Sequence, residues 1–172
     1  LKEQHPECDF VPMFWLASGD HDFDEVKFAK INGKKYQWET NEKGPVGRYN
    51  PQAVLEVIEE LNDFWQSEAN TGTYLKELFS KAYSKPTLRQ ATRYWTHELF
   101  KNYGLVVIEG DDNELKKEFK HIIKKELYQE TTFEEVDKTN NYLSQNNYHI
   151  QVYARPINLF MITEHGRERI VK

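Results

Sequence analysis

The sequence predicts an α/β domain on a doubly wound parallel sheet, interrupted by an inserted β-hairpin and a helical excursion. Three observations predict it. Phe10-Val11-Pro12-Met13-Phe14-Trp15-Leu16-Ala17 is continuously apolar, the pattern of a strand covered on both faces. Leu105-Val106-Val107-Ile108 is a second short apolar run. Residues from Thr87 to about Leu127 then read helix–strand–helix, the alternation that places helices on both sides of a parallel sheet. The two apolar runs are expected to be parallel neighbours or near-neighbours, with Trp15 buried between covering layers.

The remaining elements follow in order. Leu1-Lys2-Glu3-Gln4-His5 reads as the last turn of a helix, and Pro12 fits near the start of a strand or on an edge. Lys27 to Thr40, with Asn32-Gly33 between two alternating segments, reads as a hairpin closed by a type I′ turn. Gly44-Pro45-Val46-Gly47 is a loop. Asn50 caps the next helix and Pro51 opens it, with Val54, Val57, Ile58, Leu61, Phe64 and Trp65 as its apolar stripe. A second helix carries Tyr74, Leu75, Leu78, Phe79 and Ala82. Thr87 and Gln90 form a capping box for a third, which stops at Gly104. Asp111 with Glu114, and Thr132 with Glu135, repeat that spacing for two later helices. Strands are expected at Tyr148 to Ala154 and Asn158 to Thr163, with Arg167 to Val171 as a hairpin partner.

The expected division is 1–26 for the first core strand and its loop, 27–86 for the inserted hairpin and helices, and 87–172 for the remaining core. With no initiator methionine at the start and an unpaired strand at the end, the segment reads as cut from a larger enzyme. Charged residues make up 30% and the net charge is −5, with Lys and Arg scattered among Asp and Glu. No basic stripe is present, so nucleic acid is not an expected partner. Cys8 is the single cysteine and cannot form an internal disulfide. The longest apolar run is too short to span a bilayer, and cytoplasm is the default compartment.

In open α/β sheets ligands bind beyond the carboxyl ends of the strands, which singles out Ser18 to Asp22 and Glu109 to Asp112. Asp20-His21-Asp22 is the densest polar cluster. A histidine held by a carboxylate suits general base work near neutral pH. Against that stands the plainer alternative that Asp20 or Asp22 caps a turn and His21 is solvated. A metal is the weakest reading: an extended chain points His21 away from both aspartates, so no metal ligand is assigned. In an extended chain His149, Gln151, Tyr153 and Arg155 share one face. That face meets water in the plain reading, or forms a polar wall with Arg155 on a carboxylate or phosphate. Asp111 and Asp112 read as caps. The core type admits a nucleotide, yet the chain has no phosphate-binding motif.

Val11-Pro12-Met13-Phe14-Trp15-Leu16-Ala17-Ser18-Gly19-Asp20-His21-Asp22-Phe23-Asp24-Glu25-Val26 resembles the signature segment of the bacillithiol biosynthesis cysteine-adding enzymes, the cysteine ligases. Tyr103 to Ile108 with Asp111-Asp112 is similar to the same family. So are Gln151-Val152, Arg155, Ile157 to Phe160, and Gly166 to Ile170. The resemblance implies a Rossmann-like core with inserted connecting segments, of which this chain would be an internal fragment. It also implies a coiled-coil region, absent here, through which the full-length enzyme forms a homodimer. The implied reaction joins L-cysteine to glucosaminyl-malate by an amide bond, the last step in making a low-molecular-weight thiol.

On that reading His21, oriented by Asp20 or Asp22, is the catalytic base. Arg155 holds the malate carboxylates, while Gln151 or Asn158 supplies neutral hydrogen bonds and Ser18 lines the substrate site. The isolated fragment is expected to be inactive. One departure stands out: Gly19 occupies the place where the family usually carries glutamate. The alternative from a different class is a non-catalytic binding or dimerisation segment of a larger enzyme.

Overall fold

A computed structural model of the chain describes residues 1–163 and 166–171. It has two compact units, one of Leu1–Asp111 and one beginning at Asp112. The first unit runs β1 (Met13–Leu16), α1 (Phe23–Val26), β2 (Phe28–Ile31), β3 (Lys34–Gln37), α2 (Ala53–Glu60), α3 (Asn62–Ser67), α4 (Ala69–Tyr83), α5 (Leu88–Phe100) and β4 (Val106–Glu109). β1 and β4 pair in parallel, with Met13 opposite Val106 and Leu16 opposite Glu109. The two apolar runs are therefore adjacent parallel strands, as the sequence predicts, and everything between them is an excursion.

That excursion closes its own core. Asn32 and Gly33 both take positive φ, 50° and 80°, the signature of the predicted type I′ turn between β2 and β3. Trp38, Val46 and Tyr49 form one buried cluster. Phe23 packs edge-on to Trp38 at 4.8 Å between ring centroids. Ile58, Leu61 and Trp65 form a second, flanked by Leu75, Phe79 and Tyr83. The predicted single stripe from Val54 to Trp65 is split between α2 and α3 at Leu61 and divided between the two clusters, Val57 packing on the first, Ile58, Leu61 and Trp65 forming the second, and Val54 touching both. Trp65 Nε1 donates to the Ile58 carbonyl at 2.9 Å, so burying the indole leaves no orphaned donor. Thr87 caps α5 by accepting from the Gln90 amide, and Gly104 at φ 70° ends the passage, both as predicted.

Cover of the parallel pair is one-sided. Leu16 is buried and α5 packs against both strands. Side chains alternate along a strand, so Met13 and Trp15 point the opposite way, and they stay 64% and 63% exposed. Trp15 is thus not buried as expected. The continuous apolar run predicts cover on both faces, and α5 reaches only one.

The second unit holds α6 (Asn113–Glu118), α7 (Lys120–Gln129), α8 (Thr131–Gln145) and the antiparallel pair β5 (Phe160–Thr163) and β6 (Gly166–Arg169). The expected terminal hairpin is present. Asp112, not Asp111, caps α6, its carboxylate accepting from the Glu114 and Leu115 amides at 2.8 and 3.3 Å. The Thr132–Glu135 box is not formed. The Thr132 amide donates to the Glu126 carboxylate at 3.0 Å, and α8 opens from Glu130 at φ 51°. Tyr148 to Ala154 forms no strand. Asn140 reaches across from α8 to donate to the Val152 carbonyl at 2.8 Å, a side-chain bond where a ladder was expected. No helix among the described residues is long and apolar enough to cross a membrane.

Candidate functional site

The loop after β1 is shaped by its own backbone bonds. The Asp20 amide donates to the Ala17 carbonyl at 3.1 Å, and the Asp20 carboxylate accepts from the His21 and Asp22 amides at 2.6 and 3.3 Å. Asp20 therefore spends its charge on an Asx-type turn. Neither nitrogen of the His21 ring has a hydrogen-bond partner, and both are closed off from solvent. The ring is not oriented by either flanking aspartate. Asp24, farther along the acidic run, is held below the usual carboxylate range by its hydrogen bond and charge contact with Lys27.

A second loop is clamped onto the first. The Val46 amide donates to the Asp20 carbonyl at 2.7 Å and the Gly47 amide to the Ser18 carbonyl at 3.2 Å. A Cβ on Gly47 would fall 2.5 Å from the Ser18 carbonyl oxygen, so glycine is what permits this approach. The Leu88 amide then bonds the Tyr49 carbonyl at 2.8 Å, fixing the start of α5 beside the same loops.

These ties assemble an ionic cluster at the carboxyl ends of β1 and β4. Asp111 is buried, its side chain 2% exposed, and its carboxylate meets Arg48 Nε at 2.9 Å and Arg48 Nη2 at 2.8 Å. The Asp111 amide donates to the Ser18 hydroxyl at 3.3 Å. Arg89 Nη1 lies 2.8 Å from Glu109 and 4.0 Å from Asp111. A buried carboxylate without a cation would be strongly unfavourable, so each guanidinium is what permits its acid to sit there. Beside the cluster opens a cleft of about 270 Å³ lined by Ser18, Asp20, Asp22, Glu25, Gly47 and Arg89, among others.

Ser18, Asp20 and Asp22 therefore share one cleft, with the Ser18 hydroxyl turned to the Asp111 amide. Gln151, Arg155 and Asn158 belong to the second unit. There, exposed Gln151 lines a cleft of about 580 Å³ with Val136, Leu143 and His149. Arg155 lines a separate one of about 230 Å³ with Ile157 and Arg169. Asn158 lends its backbone amide to Glu126 at 2.7 Å. Burial pushes the Glu126 carboxyl upward. The Thr132 hydroxyl and the Asn158 and Thr132 amides outweigh that and hold it below the usual range. Among the described residues no group of three or more His, Cys, Asp or Glu side chains is placed to hold a metal ion.

Sequence reasoning missed Arg48, Arg89, Glu109 and buried Asp111 as a unit. The strand-end rule pointed to Glu109–Asp112, but Asp111 read as a cap. Nothing in the local pattern showed that Arg48 and Arg89 fold back onto that strand end from 63 and 20 residues away.

The profile of the family described as bacillithiol biosynthesis BshC, N-terminal Rossmann-like domain, matches residues 1–172. A protein of Cytophaga hutchinsonii, bearing the provisional name cysteine ligase BshC, is 42% identical over 172 residues, covering 100% of this chain and 31% of its own length. One of Flavobacterium johnsoniae with the same name is 40% identical over 172 residues, covering 99% of this chain and 32% of its own. One of Staphylococcus carnosus is 30% identical over 138 residues, covering 74% and 25%. The chain spans about a third of the length of the first two relatives.

Proposed function

The chain belongs to the BshC cysteine-ligase family of bacillithiol biosynthesis, with that family's N-terminal Rossmann-like domain as its fold. From that premise we propose that it is the part of an amide-forming ligase that joins L-cysteine to glucosaminyl-malate. The observation that carries this reading is the family match over the whole chain. The cleft at the carboxyl ends of β1 and β4 supports it, because it sits where open α/β sheets bind their ligands.

Amide formation requires the sugar amine to lose a proton as its nitrogen bonds the activated cysteinyl carboxyl carbon. His21 is the base in this proposal, because both its ring nitrogens lack protein partners. Those nitrogens are closed to solvent and His21 is not among the residues lining the cleft, so the proposal requires the Asp20–Asp22 loop to shift when substrate binds. Asp20 serves by fixing the turn and Asp22 by lining the cleft. Gln151, Arg155 and Asn158 remain proposed substrate contacts, with Arg155 on the malate carboxylates.

The test is the full-length protein incubated with L-cysteine, glucosaminyl-malate and nucleotide, with product read by mass. A product of the amide's mass, absent when cysteine is omitted, supports the reading, and no such product sinks it. A second reading, a binding segment without catalytic residues, draws on the Asp20 carboxylate being consumed by backbone amides.

A further inference from the structure

A second concavity lies on another face of α5, and none of its lining residues is an acid. It is an open depression of about 470 Å³ lined by Lys85, Pro86, Gln90, Arg93, Tyr94 and His97. Gln90, Arg93, Tyr94 and His97 stand at i, i+3, i+4 and i+7 along one helix, so they share a face. Leu88, Arg89 and Thr92 of the same helix line the strand-end cleft instead, so the two concavities use different faces of α5. Thr87 caps the start of the helix, and the Lys85 amide donates to the Ala82 carbonyl at 3.0 Å. The short loop that brings Lys85 to this face is therefore tied on both sides.

The cations here are not spent on acids. Among the described residues no carboxylate lies within ion-pair distance of Lys85, Arg93 or His97. Lys85 Nζ sits over the Tyr94 ring, 4.8 Å from its centroid, a contact that positions the ammonium without neutralising it. Glu98, the first acid along α5, is taken up by Lys101 at 2.8 Å, and that hydrogen bond holds its carboxyl below the usual range. The chain as a whole carries −5, so net charge does not draw anions to it. An anion would have to be selected locally, and this face offers the donors for it. The strand-end cleft, with Asp20, Asp22 and Glu25 in its lining, would repel the same ligand.

We propose that this face of α5 binds a small phosphate-rich anion, with Arg93 as the principal contact and Lys85 and His97 beside it. A guanidinium fork matches the oxygens of a phosphate two at a time, whereas the Lys85 ammonium acts as a point charge. A single carboxylate would leave part of this donor set unmatched, and a run of phosphates would not. The volume falls within the ~300–1,000 Å³ typical of small-molecule sites. Gln90 to His97 covers about 11 Å of helix, which suits a few phosphates rather than a nucleic-acid groove. The shared chemistry is the phosphate run, free or at the end of a nucleotide. The inference stands apart from the ligase reading, since it uses neither the strand-end cleft nor the amide-forming step.

The experiment is calorimetric titration of the full-length protein with sodium tripolyphosphate and, separately, adenosine triphosphate. Wild type is compared with Arg93→Gln, Lys85→Gln and a control, Lys124→Gln, which removes an exposed charge from α7. Unfolding curves are recorded for each protein. Tripolyphosphate should bind wild type and weaken about tenfold in Arg93→Gln, as expected for losing a charged hydrogen-bond partner. Lys85→Gln should weaken it by a smaller factor, and Lys124→Gln should leave it within about twofold of wild type. Adenosine triphosphate following the same order would support the site with a nucleotide as its source of phosphates. Weakening confined to tripolyphosphate would support it with free phosphates as the source. A wild type that does not bind tripolyphosphate, an Arg93→Gln affinity within about twofold of wild type, or equal weakening in Lys124→Gln would each overturn the proposal.

Discussion

The excursion from β2 to α5 and the far more apolar β1–β4 pair are stabilised in opposite ways. The excursion buries Trp38, Val46, Tyr49, Ile58, Leu61 and Trp65 among its own helices and hairpin. The parallel pair leaves Met13, Trp15 and Val106 exposed, and its order comes from α5 on one face and from polar ties at its carboxyl end. The difference teaches that an apolar strand is not thereby a covered strand. Cover depends on which other elements are present, and here the polar end of the sheet, where the cleft lies, is the better fixed one.

The contrast makes unequal demands on substitutions. Trp65→Ala should cost about 3–5 kcal/mol in the unfolding free energy of the chain, through lost burial and the cavity left among Phe64, Leu75 and Phe79. A loss under about 1 kcal/mol in a denaturant titration would show that the excursion lacks the packed core described.

The second unit extends the comparison, since a buried carboxylate does there what tryptophans do in the excursion. Glu126→Gln should cost about 1–3 kcal/mol at neutral pH, as one of the amides from Thr132 and Asn158 loses its charged acceptor. Because the folded Glu126 titrates below its ordinary value of 4.5, its stabilisation is complete above that value. It fades as the pH falls through the depressed folded value. Unfolding curves across that window should therefore lose stability in wild type and flatten in Glu126→Gln. Parallel curves would show that Glu126 is no pin.

The smallest effect is expected where the sequence pattern alone suggested a large one. Trp15→Ala should change the stability of the 172-residue chain by about 1 kcal/mol or less, because an exposed indole leaves no cavity behind. A loss comparable with that of Trp65→Ala would mean that the open face of β1 is covered.

The readable parts of the molecule were those encoded locally. Asn32-Gly33 specified its turn through the backbone conformations it tolerates, Thr87 and Gln90 specified a helix start, and the two apolar runs found each other in parallel. Trp15 failed because burial is a property of neighbours, not of the strand. Asp111 failed for a related reason. An aspartate after a strand looks the same whether it caps the next helix or pairs with Arg48, and 63 intervening residues hide the second possibility. His21 was visible as a polar residue at a strand end. The turn held by the Asp20 carboxylate is a local device that the sequence alternative of a capped turn contains, whereas a His21 ring closed from solvent without a partner is not written in any local pattern.

The most direct measurement is turnover of the full-length protein carrying His21→Gln, with product read by mass and unfolding curves matched to wild type. Glutamine keeps hydrogen-bonding capacity but cannot accept the amine's proton at neutral pH, so turnover should fall about 10²–10⁴-fold with little change in stability. Turnover near that of wild type would contradict the base assignment and leave His21 a structural residue of the loop.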